Sequence, residues 1–334
     1  MTYRNLGRTG VKVSPLCLGC MMFGRKTEAA ESYGMIDRAI DAGINFIDTA
    51  DAYGRGKSEE IVGEALQRNG HRDRMILATK VHKQMDASDP NSGGNSARHI
   101  IAGCEASLRR LRTDHIDLYQ IHRPQSDIPV DEILRAMDHL VRAGKIRYAG
   151  TSTFAAWQLM ESVMISRELG LARFVCEQPP YNLLDRRAER ELLPFAQTYG
   201  FGLIPWSPLA GGLLTGKYRK GQPLPEGSRF ETTEGSQPSR RMTPAFWDAI
   251  EKFATFCEEK NQPPSVVALA WCMDRPGITS PILGPRTLAQ LEDNLAALHC
   301  KLDGDDHAAL DQIFPPGEML SPFYLADFGP HRFR

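Results

Sequence analysis

An excess of charge of either sign is missing from this 334-residue chain. Forty lysines and arginines stand against 41 aspartates and glutamates, a formal net charge of −1. That balance excludes nucleic-acid or membrane-surface binding through bulk charge. It leaves room for a small anion held by a few local cations. Cysteine is sparse too: seven in a chain of this length make no disulfide framework. The Cys17-Leu18-Gly19-Cys20 pair has no second pair to complete a zinc or redox site, so buried thiols on an apolar strand are expected. An apolar signal core is absent from Met1-Thr2-Tyr3-Arg4-Asn5. The uncharged stretch from Leu192 to Gly216 contains eight Gly or Pro residues and reads as helix end, turn, strand and loop. A cytoplasmic setting, with no membrane or nucleic-acid partner, is the expectation. What is present, 42% hydrophobic and 24% charged residues, suits an ordinary globular protein of one large domain or two small ones.

Periodicity alternates between short apolar runs and longer helical patterns. Strands are predicted at Leu16–Gly19, Asn45–Asp48, Met75–Lys80, Ile116–His122, Ile146–Ser152, Phe174–Gln178, Gly202–Ser207 and Ile282–Leu283. Helices are predicted at Ala29–Ala42, Ser58–Gln67, Ala97–Leu111, Val130–Ala143, Ala155–Leu169, Arg186–Tyr199, Pro264–Met273 and Thr287–Leu298. Several end on glycine, as at Ala42-Gly43 and Leu169-Gly170. Strand followed by helix, eight times over, is what a closed parallel barrel needs. The expectation is a single-domain (β/α)8 barrel over residues 1–334, with an N-terminal β-hairpin between Tyr3 and Val13. Long loops follow strands three and seven, at residues 82–96 and 208–243, on the face where such folds build sites.

Four residues stand out at the strand ends. Asp48, Lys80 and His122 close consecutive strands, and Tyr53 lies five residues beyond Asp48. One ionisable strand end is simply where the chain meets water; three in succession with a phenol beside them suggest chemistry. A phenol alone is a weak acid at neutral pH. A neighbouring ammonium lowers its pKa, a carboxylate keeps that ammonium charged, and a histidine orients a carbonyl. Neither a serine–histidine nucleophile nor metal-ligand spacing is present. An acid without a nucleophile implies that the attacking group, such as a hydride, comes from a cofactor.

No Gly-x-Gly-x-x-Gly follows the first strand. Asp51-Ala52-Tyr53-Gly54-Arg55-Gly56-Lys57-Ser58 ends like a nucleotide P-loop, but Asp51 replaces its first glycine and would repel phosphate. A better anion site lies at Gly284-Pro285-Arg286-Thr287, which opens a helix carrying Gln290, Asp293 and Asn294. Gln290 and Asn294, four apart, share a face that could meet an adenine edge while Arg286 holds a phosphate. A capped surface helix would look the same.

Together these residues resemble the aldo-keto reductase superfamily. The resemblance rests on Gly43-Ile44-Asn45-Phe46-Ile47-Asp48-Thr49-Ala50-Asp51-Ala52-Tyr53-Gly54, Thr79-Lys80, Leu118-Tyr119-Gln120-Ile121-His122-Arg123-Pro124 and Gly144-Lys145-Ile146-Arg147. It continues through Gly150-Thr151-Ser152, Gln178-Pro179-Pro180-Tyr181-Asn182, Pro205-Trp206-Ser207-Pro208-Leu209 and Gly284-Pro285-Arg286. The family fold is a (β/α)8 barrel. The resemblance implies Tyr53 as proton donor, Lys80 and Asp48 as the partners that tune it, and His122 as the carbonyl-orienting residue. It implies NADP(H) as cofactor, with Ser152 and Gln178 on the nicotinamide carboxamide and Trp206 stacked on the ring. Ser207, Leu209, Gly211 and Lys217 would cover the pyrophosphate. Arg286 would face the 2′-phosphate, with Gly284 beside it in the cofactor site, and Gln290, Asp293 and Asn294 would face the adenine. Thr153 stands where many members have Asn, and Asp293 where Glu is common. The loop after strand seven and Ser152-Thr153-Phe154 look more like the bacterial and channel-β-subunit-like branches.

The expected activity is NADPH-dependent reduction of an aldehyde or ketone. The alternative is an NADP(H)-binding regulatory subunit with vestigial turnover. The partner expected is a small carbonyl compound, received by Met21, Met22, Phe23 and His82. The tail Phe323–Arg334, with Tyr324, Phe328 and Phe333, would fold over this pocket or mediate homo-oligomer contacts.

Overall fold

The apolar runs become parallel strands because they are rich in β-branched and aromatic residues and are covered on both faces. In the computed structural model, which describes residues 1–232 and 241–322, an antiparallel hairpin of β1 (Arg4–Asn5) and β2 (Lys12–Val13) comes first. Then follow β3 (Cys17–Gly19), β4 (Phe46–Asp48), β5 (Ile76–Val81), β6 (Ile116–Ile121), β7 (Ile146–Ser152), β8 (Phe174–Gln178), β9 (Gly202–Leu203) and β10 (Ile282–Leu283). These eight form one parallel sheet in the order β10-β3-β4-β5-β6-β7-β8-β9. Its two edges meet: the Thr279 amide donates to Leu203 O at 2.7 Å and the Ile282 amide to Pro205 O at 2.8 Å. The curled parallel sheet and the helices around it are consistent with a (β/α)8 barrel. Strand β9 is shorter than Gly202–Ser207 because Pro205 has no amide to donate; the direction persists only in single bonds such as Trp206 N–H to Pro179 O, 2.9 Å.

Among the described residues the helices of eight or more residues are α1 (Ala29–Asp41), α2 (Lys57–Asn69), α3 (Ala97–Leu111), α4 (Val130–Arg142), α5 (Ala156–Leu169), α6 (Leu192–Tyr199), α7 (Pro244–Glu259), α8 (Pro264–Asp274), α9 (Leu288–Leu295) and α10 (Gly304–Ile313). Helix α7 was not expected, although its signals are ordinary. Thr243 caps it through the Phe246 amide, Pro244 opens it, and Phe246, Ala249, Ile250, Phe253, Phe256 and Cys257 are its buried stripe. Helix α10 was also missed; Asp303 caps it reciprocally with Asp306. The expected helix Arg186–Tyr199 is broken into a 3-10 turn at Arg187–Glu189 and α6. Buried Arg186 explains the break, since it pairs with Glu189 and Asp311 instead of continuing a helical face. Residues 82–96 hold neither helix nor strand. The tail from residue 323 and part of the long loop, 233–240, lie outside the described residues.

A period of two along the strands organises the inner face of the sheet. One layer is apolar: Phe46, Ala78, Leu118, Cys176 and Ile204, with Leu6 and Val13 from the hairpin packed onto it. Two residues further along each strand come Asp48, Lys80, Gln120, Gln178 and Trp206. Two further along β5 and β6 come His82 and His122. Gly150, between them on β7, keeps the polar layer narrow, because a Cβ there would sit 2.6 Å from Cys176 Sγ. The opposite faces of the strands meet the helices in the larger core, with Met35, Val62, Leu108, Leu134, Leu140, Phe253 and Trp271 among its buried members. Each such side chain contributes about 1.5–3 kcal/mol by leaving water.

Candidate active site

The polar layer brings together all four residues singled out at the strand ends. Lys80 is fully buried and Asp48 nearly so, and the two form a direct ion pair through Lys80 Nζ and Asp48 Oδ2. Nζ also donates to Thr49 O at 2.8 Å and lies 3.3 Å from Tyr53 Oη. The Tyr53 ring meets the His122 ring edge to face, with centroids 5.7 Å apart. The turn that returns Tyr53 to the sheet runs Asp48 to Gly56 and is held by the Tyr53 amide donating to Ala50 O. Gly54 and Gly56 at φ +58° and +90° let it fold back so tightly.

Gln120 belongs to this layer and was not expected there. Its Nε2 donates to Asp48 Oδ1 at 3.0 Å; Gln178 Nε2 donates to the same oxygen at 3.0 Å and to Gln120 Oε1 at 3.1 Å. Both carboxylate oxygens of Asp48 are thus satisfied, and the amide of Gln178 is turned so that its Oε1 remains to accept. The signal lay in the period-two pattern, in which Gln120 is the polar residue between Leu118 and His122.

The charges are tuned by burial and by each other. Burial alone would push the Lys80 ammonium towards neutrality, but attraction and hydrogen bonds from Asp48 and Tyr53 outweigh it, and its pKa stands above the ordinary value. Burial, reinforced by Lys80 and Arg123, drives His122 well below the ordinary imidazole range, so it is neutral. Its Nδ1 is buried and meets no hydrogen-bond partner among the described residues. The Tyr53 hydroxyl corrects the expectation of a lowered pKa. Burial raises it by more than Lys80 and Arg123 lower it, so the phenol keeps its proton throughout the physiological range.

Arg123, also unexpected, follows His122. Its Nη1 donates to His122 O at 2.7 Å and lies 3.5 Å from both Ser152 Oγ and Thr153 Oγ1, with the guanidinium 6.0 Å from the Trp206 ring centre. Ser152 Oγ donates to Gln178 O at 3.0 Å. Thr153 holds a left-handed φ of +62°, a strained conformation for a β-branched residue. It is braced from outside by buried Glu177, whose carboxylate accepts from Thr151 Oγ1 at 2.5 Å and from the Phe154 amide at 3.1 Å. Burial raises the Glu177 carboxyl to about 8 despite those bonds.

The outer rim is built from loops. Ser207 and Ala210 adopt φ of +56° and +50°, followed by Gly211 and Gly212 at +68° and +100°. Asn182 Nδ2 donates to Ser207 O at 3.1 Å, and Leu209 is half-buried beside it. Lys217 is exposed, and its pKa is lowered by partial desolvation and then by Arg286. Arg229, not expected, is lowered by desolvation and by Arg286 and Arg25. Among the described residues no ion pair neutralises Arg25, Lys217, Arg229 or Arg286. Arg286 Nη1 donates to Gly227 O at 3.2 Å, and Thr27 Oγ1 donates to Arg286 O at 2.8 Å, tying the loop after β3 to the start of α9. Thr287 caps α9, and Gln290 spends Oε1 on the Arg286 amide at 2.8 Å, leaving its Nε2. Gly284 and Asp293 are exposed and Asn294 is nearly buried.

Of the pocket candidates, Met21, Met22 and His82 are half-buried. Phe23 is fully buried in the core and presents no wall to a pocket, a correction to the expectation. Its neighbours Met22 and Thr27 close a tight turn that turns the ring inward.

A buried carboxylate–ammonium pair beside a protonated phenol and a neutral imidazole can give a proton to a bound oxygen. The comparisons agree with that chemistry. The profile of the Aldo/keto reductase family matches residues 15–314. The uncharacterized oxidoreductase YrpG of Bacillus subtilis is 42% identical over 328 residues, covering 95% of this chain and 97% of that protein. A probable voltage-gated potassium channel subunit beta of Oryza sativa is 37% identical, over 89% of this chain and 91% of its own length. The versiconal hemiacetal acetate reductase of Aspergillus parasiticus is 34% identical, over 95% and 98%. With a family profile running through nearly the whole chain and relatives matched over almost their full length, this chain belongs to the aldo/keto reductase family.

Proposed function

We propose that the protein is an NADPH-dependent reductase of aldehydes or ketones, working as one (β/α)8 domain. The observation that carries this reading is the contact of Lys80 Nζ with both Asp48 and Tyr53 Oη in the buried layer. The donor set suits the cofactor. Ser152 Oγ and the free Oε1 of Gln178 offer an amide partner, Trp206 offers an aromatic face, and Lys217, Arg229 and Arg286 offer uncompensated positive charge for phosphates. Ser207, Leu209 and Gly211 line the same strained segment, and Gln290, Asp293 and Asn294 the start of α9. When bound, NADPH supplies a hydride.

Tyr53 delivers the proton to the carbonyl oxygen. Lys80 makes that delivery possible, because its ammonium stabilises the phenolate as the proton leaves; Asp48 keeps Lys80 charged and aimed. Neutral His122 donates a hydrogen bond that orients the same oxygen without adding charge. The raised pKa of Tyr53 ensures that a proton is present to give.

The channel-β-subunit relatives favour a second reading, a nucleotide-sensing subunit with residual turnover. Following NADPH absorbance with a panel of aldehydes and ketones separates the two. Rapid oxidation supports the reductase. Tight NADPH binding with no oxidation by any carbonyl would favour the sensor.

A further inference from the structure

Extending the β5–β6 register by one residue beyond Val81 and Ile121 sets His82 abreast of His122. The His122 amide donates to Val81 O at 2.9 Å, so the pairing does continue at this point. Adjacent parallel strands lie about 4.8 Å apart, and both residues occupy inward positions. His82 therefore stands next to the residue that orients the reacting oxygen, in the layer just above Lys80. An atom bonded to the carbonyl carbon of a substrate oriented by His122 would lie close to its ring.

The ring of His82 is held in one state. Asn95, fully buried, donates through Nδ2 to Arg123 O at 2.9 Å, which fixes its amide so that Oδ1 faces the other way. That oxygen is 2.9 Å from His82 Nδ1. Oδ1 can only accept, so Nδ1 carries the proton and Nε2 keeps a lone pair. Asn95 is itself anchored, its backbone N–H donating to Gln125 Oε1 at 2.7 Å, and the Gly94 backbone N–H donates to His82 O at 2.6 Å. Burial holds the imidazole below its ordinary pKa, and the nearby Lys83 and Arg123 cations add to the effect, so the ring is neutral near pH 7. Among the described residues Nε2 has no hydrogen-bond partner, and it is not sealed away from solvent.

A rigid, neutral acceptor beside the reaction centre selects for a donor. We propose that His82 is a specificity-determining residue whose Nε2 accepts a hydrogen bond from a hydroxyl on the carbon next to the carbonyl, so the pocket favours 2-hydroxy aldehydes and ketones over their deoxy analogues. A substrate without that hydroxyl strips water from Nε2 and leaves it unpaired, which penalises the analogue more than the bond itself rewards the hydroxy compound. This assignment rests on the reductase reading of the site.

The test compares lactaldehyde with propanal, the same chain with and without the hydroxyl, as the ratio of their kcat/KM values with NADPH. Wild-type protein should favour lactaldehyde by on the order of tenfold. His82→Leu should bring the ratio close to one, and His82→Gln, whose amide oxygen replaces Nε2, should restore most of it. An unchanged ratio in His82→Leu overturns the assignment, as does a ratio in His82→Gln no higher than in His82→Leu. If no carbonyl compound oxidises NADPH with any of the proteins, the reductase reading itself has failed. Calorimetric titration of NADP-loaded protein then decides the role of His82. Tighter binding of 1,2-propanediol than of 1-propanol, lost in His82→Leu, sustains it; equal binding in wild type overturns it.

Discussion

In the buried layer, every charge has a partner. Asp48 accepts from Lys80, Gln120 and Gln178, and Lys80 divides its protons among Asp48, Thr49 and Tyr53. At the outer rim the opposite holds. Burial and then Arg286 lower the pKa of Lys217, burial with Arg286 and Arg25 lowers that of Arg229, and among the described residues no carboxylate pairs with any of the four. Apart from Tyr53, which a turn with left-handed Gly54 and Gly56 returns to the sheet, the first region is carried on strands whose positions follow a strict period; the second is carried on loops with left-handed residues at Ser207 and Ala210. A compensated cluster holds its geometry without a ligand. Uncompensated cations on strained loops gain from an added anion, and this difference underlies the division proposed here between a catalytic layer and a phosphate-binding rim.

The comparison breaks most severely if one partner of the buried pair is removed. Lys80→Met leaves Asp48 as a buried charge without its cation, so turnover should fall by roughly a hundredfold to ten-thousandfold and stability by about 3–5 kcal/mol. Steady-state rates and urea unfolding check both. Retention of full stability would mean that Gln120 and Gln178 satisfy Asp48 unaided.

At the rim the expected change is in binding alone. Arg286→Gln should weaken NADPH by about ten- to a hundredfold in a fluorescence titration, with NADH nearly unaffected. Equal weakening of the two nucleotides would remove Arg286 from the 2′-phosphate and leave it a structural tie to Gly227.

A smaller effect sharpens the contrast with Glu177, a buried carboxylate that has hydrogen bonds but no paired cation. Its folded pKa of about 8 exceeds the ordinary value of about 4.3 expected in the unfolded chain. Between those values the folded protein holds a proton that the unfolded chain has released. Stability must then fall as pH rises, by up to about 1.4 kcal/mol per pH unit from this one group. Glu177→Gln should flatten the fall seen between about pH 5.5 and about pH 7.5 in urea midpoints. Parallel pH curves for the two proteins would contradict the protonated carboxyl.

The same two regions differ in how readily they were read from the sequence. Asp48, Lys80 and His122 end apolar strands, and a strand end is a position that local pattern can locate. Gln120 was passed over because it sits inside a strand, where its role depends on Gly150 and Gln178 from neighbours distant in the chain. The lowered pKa expected for Tyr53 failed for a related reason: the Lys80 contact is legible from residue types, whereas the depth of burial that outweighs it is not. Arg229 and Arg25 join the rim only through loop packing, and nothing in their local sequence marks them. The helix Pro244–Glu259, by contrast, was legible in Thr243-Pro244 and its apolar stripe, and no physical obstacle hid it. Phe23 was placed in a pocket for its apolar side chain, which the core claimed instead.

The central claim is that Tyr53, tuned by Lys80 and Asp48, gives the proton while the rim binds the cofactor. Tyr53→Phe keeps the ring that packs on His122 and removes only the hydroxyl beside Lys80. NADPH oxidation by an aldehyde that the wild type reduces should fall by about a hundredfold or more, with NADPH affinity within about threefold of wild type. Turnover that survives the loss of this hydroxyl would contradict the account.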